Sequence, residues 1–182
     1  MKEIALFGGS FNPPHLGHQM MLLYLLLVYD FDEIWINPVG KHYFDKDRFL
    51  IPPKHRINMA KIAFEKLSEK VRVKTFDIDN NFSKTYDTIN FLKRENYKNK
   101  IKITLILGED NYNSRNKWYK FDELEKEVNI IYLGRSNIQS NLKLPFKFPN
   151  ISSSEIRKNL SDSILMLDKE VFQYIKANKL YI

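Results

Sequence analysis

Three groups of residues in this chain have the types and spacing to handle a polyanion. Near the start, His15 and His18 follow Gly8-Gly9-Ser10-Phe11-Asn12-Pro13-Pro14. If the turn is helical at both positions, a separation of three puts the two imidazoles on one side, where they can meet one anion together. The same spacing suits a polar pair at a helix cap. A zinc site is a third reading, but zinc takes three or four ligands and the chain has no cysteine to help. Far along the chain, Ile151-Ser152-Ser153-Ser154-Glu155-Ile156-Arg157 gathers hydroxyls, backbone amides and a guanidinium at a helix start. That is either a capping box, with Ser152 or Ser153 as cap and an exposed arginine, or a cradle for phosphate oxygens. Between the two, Gly108-Glu109-Asp110 closes an apolar run. A carboxylate at the C-terminal end of a parallel strand lies where open α/β sheets bind ligands, so Asp110 can accept hydrogen bonds from ribose hydroxyls. Lys41 and His42 in a long loop, and Arg135 past a later strand, read equally as phosphate ligands or as exposed charges. No serine–histidine–acid set or cysteine nucleophile points to covalent catalysis.

The elements that would carry these groups alternate. Ile4-Ala5-Leu6-Phe7 reads as a buried strand broken by Gly8-Gly9, where backbone must turn or come close to a ligand. Pro13 and Pro14 exclude a helix before His15, and Met20 to Leu27 then form one, so His18 falls in or near its first turn. Backbone amides at such a start have no internal partners and favour phosphate. Glu33 to Gly40 predicts a second strand, Arg56 to Leu67 a helix, and Val71-Arg72-Val73 a third strand. Ser83 or Thr85 can cap a helix carrying Ile89, Leu92 and Tyr97. Ile101 to Gly108 and Val128 to Leu133 predict two more strands, and Val171 to Ala177 a closing helix. Asn137 to Pro149 carries no trustworthy period beyond a short alternation at Phe146-Lys147-Phe148. Strands alternating with helices imply right-handed crossovers, hence an α/β fold with an open, mostly parallel sheet.

The chain has 182 residues, enough for one domain with its own core, and no second domain is needed. We expect a single domain over 1–182, with a small helical portion from about residue 151 onward. Absence of cysteine suits a reducing compartment. Met-Lys-Glu-Ile runs straight into the first strand, and the longest apolar run is too short to span a bilayer, so we expect a cytoplasmic protein with no membrane partner. The 29 Lys+Arg against 22 Asp+Glu leave a net charge of +7. The lysines are scattered over helical faces rather than interleaved with aromatics, which favours a local basic pocket over a nucleic-acid track. Oligomeric state leaves no mark in the sequence.

Gly-Gly-Ser-Phe-Asn-Pro-Pro-His-Leu-Gly-His, residues 8–18, resembles the G-G-[ST]-F-[DN]-P-x-H-x-G-H signature of nucleotidyltransferases. Its second half is similar to the H-x-G-H box those enzymes share with class I aminoacyl-tRNA synthetases. The 151–157 segment resembles their triphosphate box I-S-S-[ST]-x-I-R, with Ser154 where threonine is common. Ser83-x-Thr85-x-Asp87-Thr88, the Gly108-x-Asp110 pair and Trp118-Tyr119 are similar to the pyridine mononucleotide branch, and so is the chain's ending. The closest resemblance is to bacterial nicotinate or nicotinamide mononucleotide adenylyltransferases, with a Rossmann-like fold carrying helices on both faces. One departure is the substrate loop, where Gly40-Lys41-His42-Tyr43-Phe44-Asp45-Lys46 replaces the common P-P-H-K form.

The resemblance implies that AMP moves from ATP to a pyridine mononucleotide, giving deamido-NAD or NAD and pyrophosphate, with Mg2+ accompanying ATP. It implies that His15, His18 and Arg157 act on the phosphates, and that Gly8, Gly9, Ser10, Phe11, Gly108, Asp110, Ser153 and Ser154 hold ATP. Thr85, Trp118, Tyr119, Arg135, Lys41 and His42 would meet the pyridine mononucleotide, with an aromatic stacked on its ring; burial of Trp118 in the core is the competing expectation. No protein-held metal is expected. Phosphopantetheine adenylyltransferase shares the first and last motifs, but Trp118-Tyr119 and Ser83-x-Thr85 argue against it. A non-catalytic nucleotide- or nucleic-acid-binding module is the reading from another class, and a strongly salt-dependent affinity would distinguish it.

Overall fold

In the computed structural model, residues 1–41, 50–97, 101–134 and 148–181 are described. Their frame is a five-stranded sheet of β1 (Lys2–Gly9), β2 (Glu33–Pro38), β3 (Val71–Val73), β4 (Ile101–Gly108) and β5 (Asn129–Leu133). The spatial order is β3-β2-β1-β4-β5 and every neighbouring pair is parallel. The chain winds outward from β1 to β3, then returns past β1 to wind the other way. The crossovers on either side of β1 and β4 therefore leave in opposite senses, and a crevice opens beyond the C-terminal ends of those two strands.

Helices α1 (Leu16–Val28), α2 (Pro53–Phe64), α3 (Phe76–Asp79), α4 (Thr85–Leu92), α5 (Glu109–Ser114), α6 (Phe121–Glu127), α7 (Ser153–Lys158) and α8 (Lys169–Ala177) connect and flank the strands. Side chains alternate across a strand, so the sheet feeds two cores. Ala5, Phe7, Ile34, Ile36 and Ile106 pack with Leu22 and Leu25 of α1, Met59 and Phe64 of α2, Ile156 of α7, and Val171 and Ile175 of α8. Ile4, Leu6, Trp35, Leu105 and Leu107 pack with Ile89 and Leu92 of α4 and Phe121 and Leu124 of α6. Burial on both faces is why β1 and β4 read as unbroken apolar runs. The open parallel sheet with helices on both faces is the expected fold, and among the described residues all of its pairings are parallel.

Several boundaries differ from expectation for local reasons. Helix α1 begins at Leu16, with His15 itself as the extended N-cap residue. Its apolar run is not all core, since Leu27 is 85% exposed. Neither Ser83 nor Thr85 caps α4; Lys84 holds the cap position with no side-chain bond, and Thr85 is the first helical residue. That helix passes into a π-helical turn at Lys93–Tyr97. The alternation at Phe146-Lys147-Phe148 falls mostly outside the described residues.

Candidate active site

The turn after β1 is set by aromatic packing rather than by glycine alone. A Cβ on Gly9 would lie 2.9 Å from the Phe11 ring, so the backbone there must be bare. Phe11 takes a left-handed φ of 46°, unusual for a residue with a Cβ. Full burial compensates, with its ring edge-on to Phe7, His18 and Phe64 at 5.8, 5.3 and 5.2 Å. The Asn12–Pro13 peptide is cis. Beneath the turn lies Arg56 of α2, 1% exposed, which donates to the carbonyl oxygens of Ser10 (3.1 Å), Val39 (2.8 Å) and Ile51 (3.2 Å). One planar guanidinium thus ties the turn to the segment after β2 and to the start of α2.

The two histidines do come together, but not side by side on one helical face. Because His15 is extended, its ring folds back over the first turn and stacks on His18, centroids 3.7 Å apart and planes 27° from parallel. Gly17 makes room for this, since a Cβ there would sit 3.1 Å from His15 Nδ1. The His15 backbone N–H donates to His18 Nδ1 at 3.3 Å. With Nδ1 accepting, the neutral His18 ring carries its proton on Nε2. His15 is 4% exposed, whereas His18 is half-buried. His15 therefore serves as a platform for His18 more than as an open surface.

Helix α7 docks its N-terminus on the same turn. Ser152 caps it, accepting from the Glu155 N–H at 3.2 Å, and Ser153 is left to donate to the Pro13 carbonyl at 2.8 Å. Arg157 donates through Nη1 to the Asn12 carbonyl at 2.7 Å and through Nη2 to Ser154 Oγ at 3.3 Å. Tyr181 donates to Asn12 Oδ1 at 2.8 Å, and burial pushes its phenol well above the ordinary tyrosine range despite Arg157 and Arg56 nearby. The first and last motifs therefore share one wall.

On the other side of the glycine turn lies a cavity of about 220 Å³ over the ends of β1, β2 and β4. Gly8, Gly9 and Ser10 form one edge, Lys41, Asn37 and Asp77 another, and Thr85, Trp118 and Tyr119 a third. Trp118 packs edge-on to Phe121 at 6.2 Å, and its Nε1 is buried with no hydrogen-bond partner. It is only half-buried, so neither the ring-stacking nor the core expectation accounts for it alone. Tyr119 is 40% exposed, with the Lys84 ammonium 4.0 Å above its ring. Asp77 is buried, accepts from the Thr88 hydroxyl at 2.6 Å and has the Asn37 amide beside it. Burial pushes its carboxyl up to about 6, with Asp87 adding to the rise and Thr88 and Asn37 opposing it. Gly40 touches this corner so closely that a Cβ would lie 2.5 Å from the Asp77 carbonyl oxygen.

The expected residues thus form two adjoining groups joined by residues 9–13. One is the polyanion corner of His15, His18, Ser153, Ser154 and Arg157. The other is the cavity with Gly8, Gly9, Ser10, Lys41, Thr85, Trp118 and Tyr119. The Phe11 ring is fully buried and packs edge-on against His18. Gly108 is the extended N-cap residue of α5, and Asp110 is the second residue of that helix rather than a loop residue. The side chain of Asp110, and all of His42 and Arg135, lie outside the described residues. Sequence reasoning missed Asn12, Asn37, Arg56 and Asp77. The signals available were faint: a polar residue ending an apolar strand, and an arginine on the inward face of a helix.

The cytidylyltransferase-like family model matches residues 6–159. The probable nicotinate-nucleotide adenylyltransferase of Aliarcobacter butzleri is 36% identical over 181 residues, covering 92% of this chain and 97% of that protein. The nicotinate-nucleotide adenylyltransferase of Bacillus subtilis is 30% identical over 192 residues, covering 100% and 99%. A solved structure, Plasmodium falciparum nicotinic acid mononucleotide adenylyltransferase complexed with NaAD, superposes with a TM-score of 0.85 over 100% of this chain and 98% of that one. At 23% identity, that likeness speaks for the fold.

Proposed function

The chain belongs to the cytidylyltransferase-like family and, within it, to the nicotinate-nucleotide adenylyltransferases, and from that premise we propose how its residues move AMP from ATP to a pyridine mononucleotide in NAD biosynthesis. The observation that carries the assignment of roles is the shared wall: Ser153 and Arg157 bonded to Pro13 and Asn12, beside the stacked histidines. ATP lies along this corner, its base and ribose toward the Gly108–Asp110 end of β4. The pyridine mononucleotide fills the adjoining cavity, against Thr85, Trp118 and Tyr119, with Lys41 at its rim. His42 and Arg135, expected at the same phosphate, lie outside the described residues.

The mononucleotide phosphate oxygen attacks the α-phosphorus of ATP. A P–O bond forms there as the bond to the β-phosphate bridging oxygen breaks, and pyrophosphate leaves with the electron pair. The attacking oxygen is already ionised, so no protein base is required, and the rate comes from alignment and from stabilising charge on the leaving group. His18, through Nε2–H, donates to the α- and β-phosphate oxygens. His15 holds that ring in place and adds its own edge to the same corner. Arg157, Ser153 and Ser154 receive the outer phosphates, where a guanidinium fork already anchored on one side loses little freedom on binding.

Among the described residues no group of three or more His, Asp or Glu could hold a metal ion. The corner offers cations and hydroxyls, which suit phosphate oxygens rather than a bare cation. In this reading Mg2+ enters as part of the substrate, bound to ATP, where it would spread the charge that builds on pyrophosphate. Among the described residues no helix is long and apolar enough to cross a membrane, and a cysteine-free chain using soluble nucleotides fits the cytoplasm. The C-terminal helices share a core with the sheet through Ile156, Val171 and Ile175, which supports one working domain.

The experiment is pyrophosphate release from Mg-ATP with nicotinate mononucleotide, nicotinamide mononucleotide and phosphopantetheine assayed in parallel. Release with a pyridine mononucleotide and none with phosphopantetheine is expected. The reverse pattern overturns the assignment.

A further inference from the structure

Where the β1–β2 ladder ends, one buried side chain takes over from the backbone. The register of the two strands closes at Gly9 and Pro38, and the last bond between the segments runs from the Val39 N–H to the Gly9 carbonyl at 2.9 Å. Just beyond it the segments part, and there Arg56 Nη1 donates to both, to the Ser10 carbonyl at 3.1 Å and to the Val39 carbonyl at 2.8 Å. Its Nε donates to the Ile51 carbonyl at 3.2 Å, which fixes the guanidinium at a second corner. A guanidinium keeps its charge in a protein, and its N–H groups diverge within one plane. The spacing of the Ser10 and Val39 carbonyls is therefore held by a rigid group that is 1% exposed.

Those two carbonyls belong to different walls of the site. Ser10 and Val39 both line the cavity of about 220 Å³, and Arg56 stands behind them, outside its lining. Ser10 also leads straight into Phe11, whose ring packs on His18 at 5.3 Å. Asn12 and Pro13 follow, and their carbonyls accept from Arg157 and Ser153. A displacement of Ser10 thus moves the polyanion corner relative to Val39 and the cavity wall behind it.

We propose that Arg56 is a positioning residue for adenylyl transfer: it touches neither nucleotide and fixes the spacing between the polyanion corner and the mononucleotide cavity. This rests on the function proposed above and deepens it. In-line attack needs the acceptor oxygen aligned with the α-phosphorus, and a misplacement of about 1 Å can cost about a hundredfold in rate. Each nucleotide still meets its own half of the site when the halves shift, so the loss falls on turnover and not on binding.

Arg56→Lys tests this, since it keeps the charge and loses the planar fork. With Mg-ATP and the pyridine mononucleotide, kcat for pyrophosphate release should fall by about ten- to a hundredfold. The Kd of each nucleotide, measured by calorimetry, should stay within about threefold of the parent. The assay is run where circular dichroism shows the variant folded. A residue that serves stability alone would lower the melting temperature and leave kcat per folded molecule unchanged. Parent-like kcat therefore overturns the proposal, and so does a loss confined to KM. A second measurement needs no variant. In 15N-labelled parent enzyme the Arg56 Nε–H resonance should move when either nucleotide is added alone, because each presses on a segment whose carbonyl this side chain holds. A resonance that moves with neither overturns the proposal, whether or not the variant folds. Absence of pyrophosphate release from the parent enzyme with any acceptor sinks the proposed function instead, and the resonance then decides the role of Arg56 by itself.

Discussion

The guanidinium of Arg157 reaches back across 145 residues to donate to the carbonyl oxygen of Asn12 at 2.7 Å. This bond holds the first and last motifs together before any ligand arrives. Arg157→Ala should lower kcat/KM by about two to three orders of magnitude, as loss of one oriented donor to developing charge does. Arg157→Lys should recover only part of that, since an ammonium keeps the charge without the fork. Pyrophosphate release measures both, and unchanged circular dichroism separates the effect from unfolding.

His18→Ala should reduce turnover by about two orders of magnitude, mainly in kcat, if its Nε2–H meets charge that grows in the transition state. His15→Ala should cost less, because it removes the platform and leaves the donor. Near-normal turnover for His18→Ala would remove it from the mechanism.

Gly17→Ala is a probe of the stack itself. Replacing a helical glycine by alanine usually adds roughly 0.5–1 kcal/mol of stability. Here the new methyl meets a buried imidazole at 3.1 Å, and that ring has His18 on its other face. We expect an almost unchanged melting temperature with turnover down by about tenfold or more, since small displacements of aligned groups are costly. Thermal denaturation and steady-state kinetics on one preparation check the pair.

Asp77 makes a pH-linked contribution whose sign follows from its raised carboxyl. Folded Asp77 holds its proton up to about 6, against 3.8 ordinarily. Its favourable contribution is therefore complete below about 3.8 and is lost as pH climbs to about 6, because the folded state then binds more protons than the unfolded one. Asp77→Asn has no such loss. The stability of the variant relative to the parent should rise by up to about 3 kcal/mol between pH 4 and 7. Urea unfolding at a series of pH values checks it; a difference independent of pH would contradict the burial account.

The meeting of the first and last motifs was legible because each is contiguous, and the sheet because strands buried on both faces leave unbroken apolar runs such as Ile4 to Phe7. The boundaries at Thr85 and His15 were less so, since whether a residue caps a helix or begins it depends on where its side chain is drawn by the tertiary fold. Asn37, Asp77 and Arg56 left little trace. Each is an ordinary polar residue in its own segment, and only the parallel register of Gly8 on Asn37 and the passage of α2 beneath the turn make them neighbours of the site. Long-range proximity of this kind has no local period to read.

Arg56 has a consequence for how the protein meets its ligands in solution. Surface lysines attract a distant polyphosphate through salt water, and mobile ions cancel that pull within about 8 Å at physiological ionic strength. The cation under Ser10 acts instead through protein, where no counter-ion atmosphere can gather. The pull of Arg56 on an anion seated over the turn should therefore weaken with added salt less than that of the surface lysines.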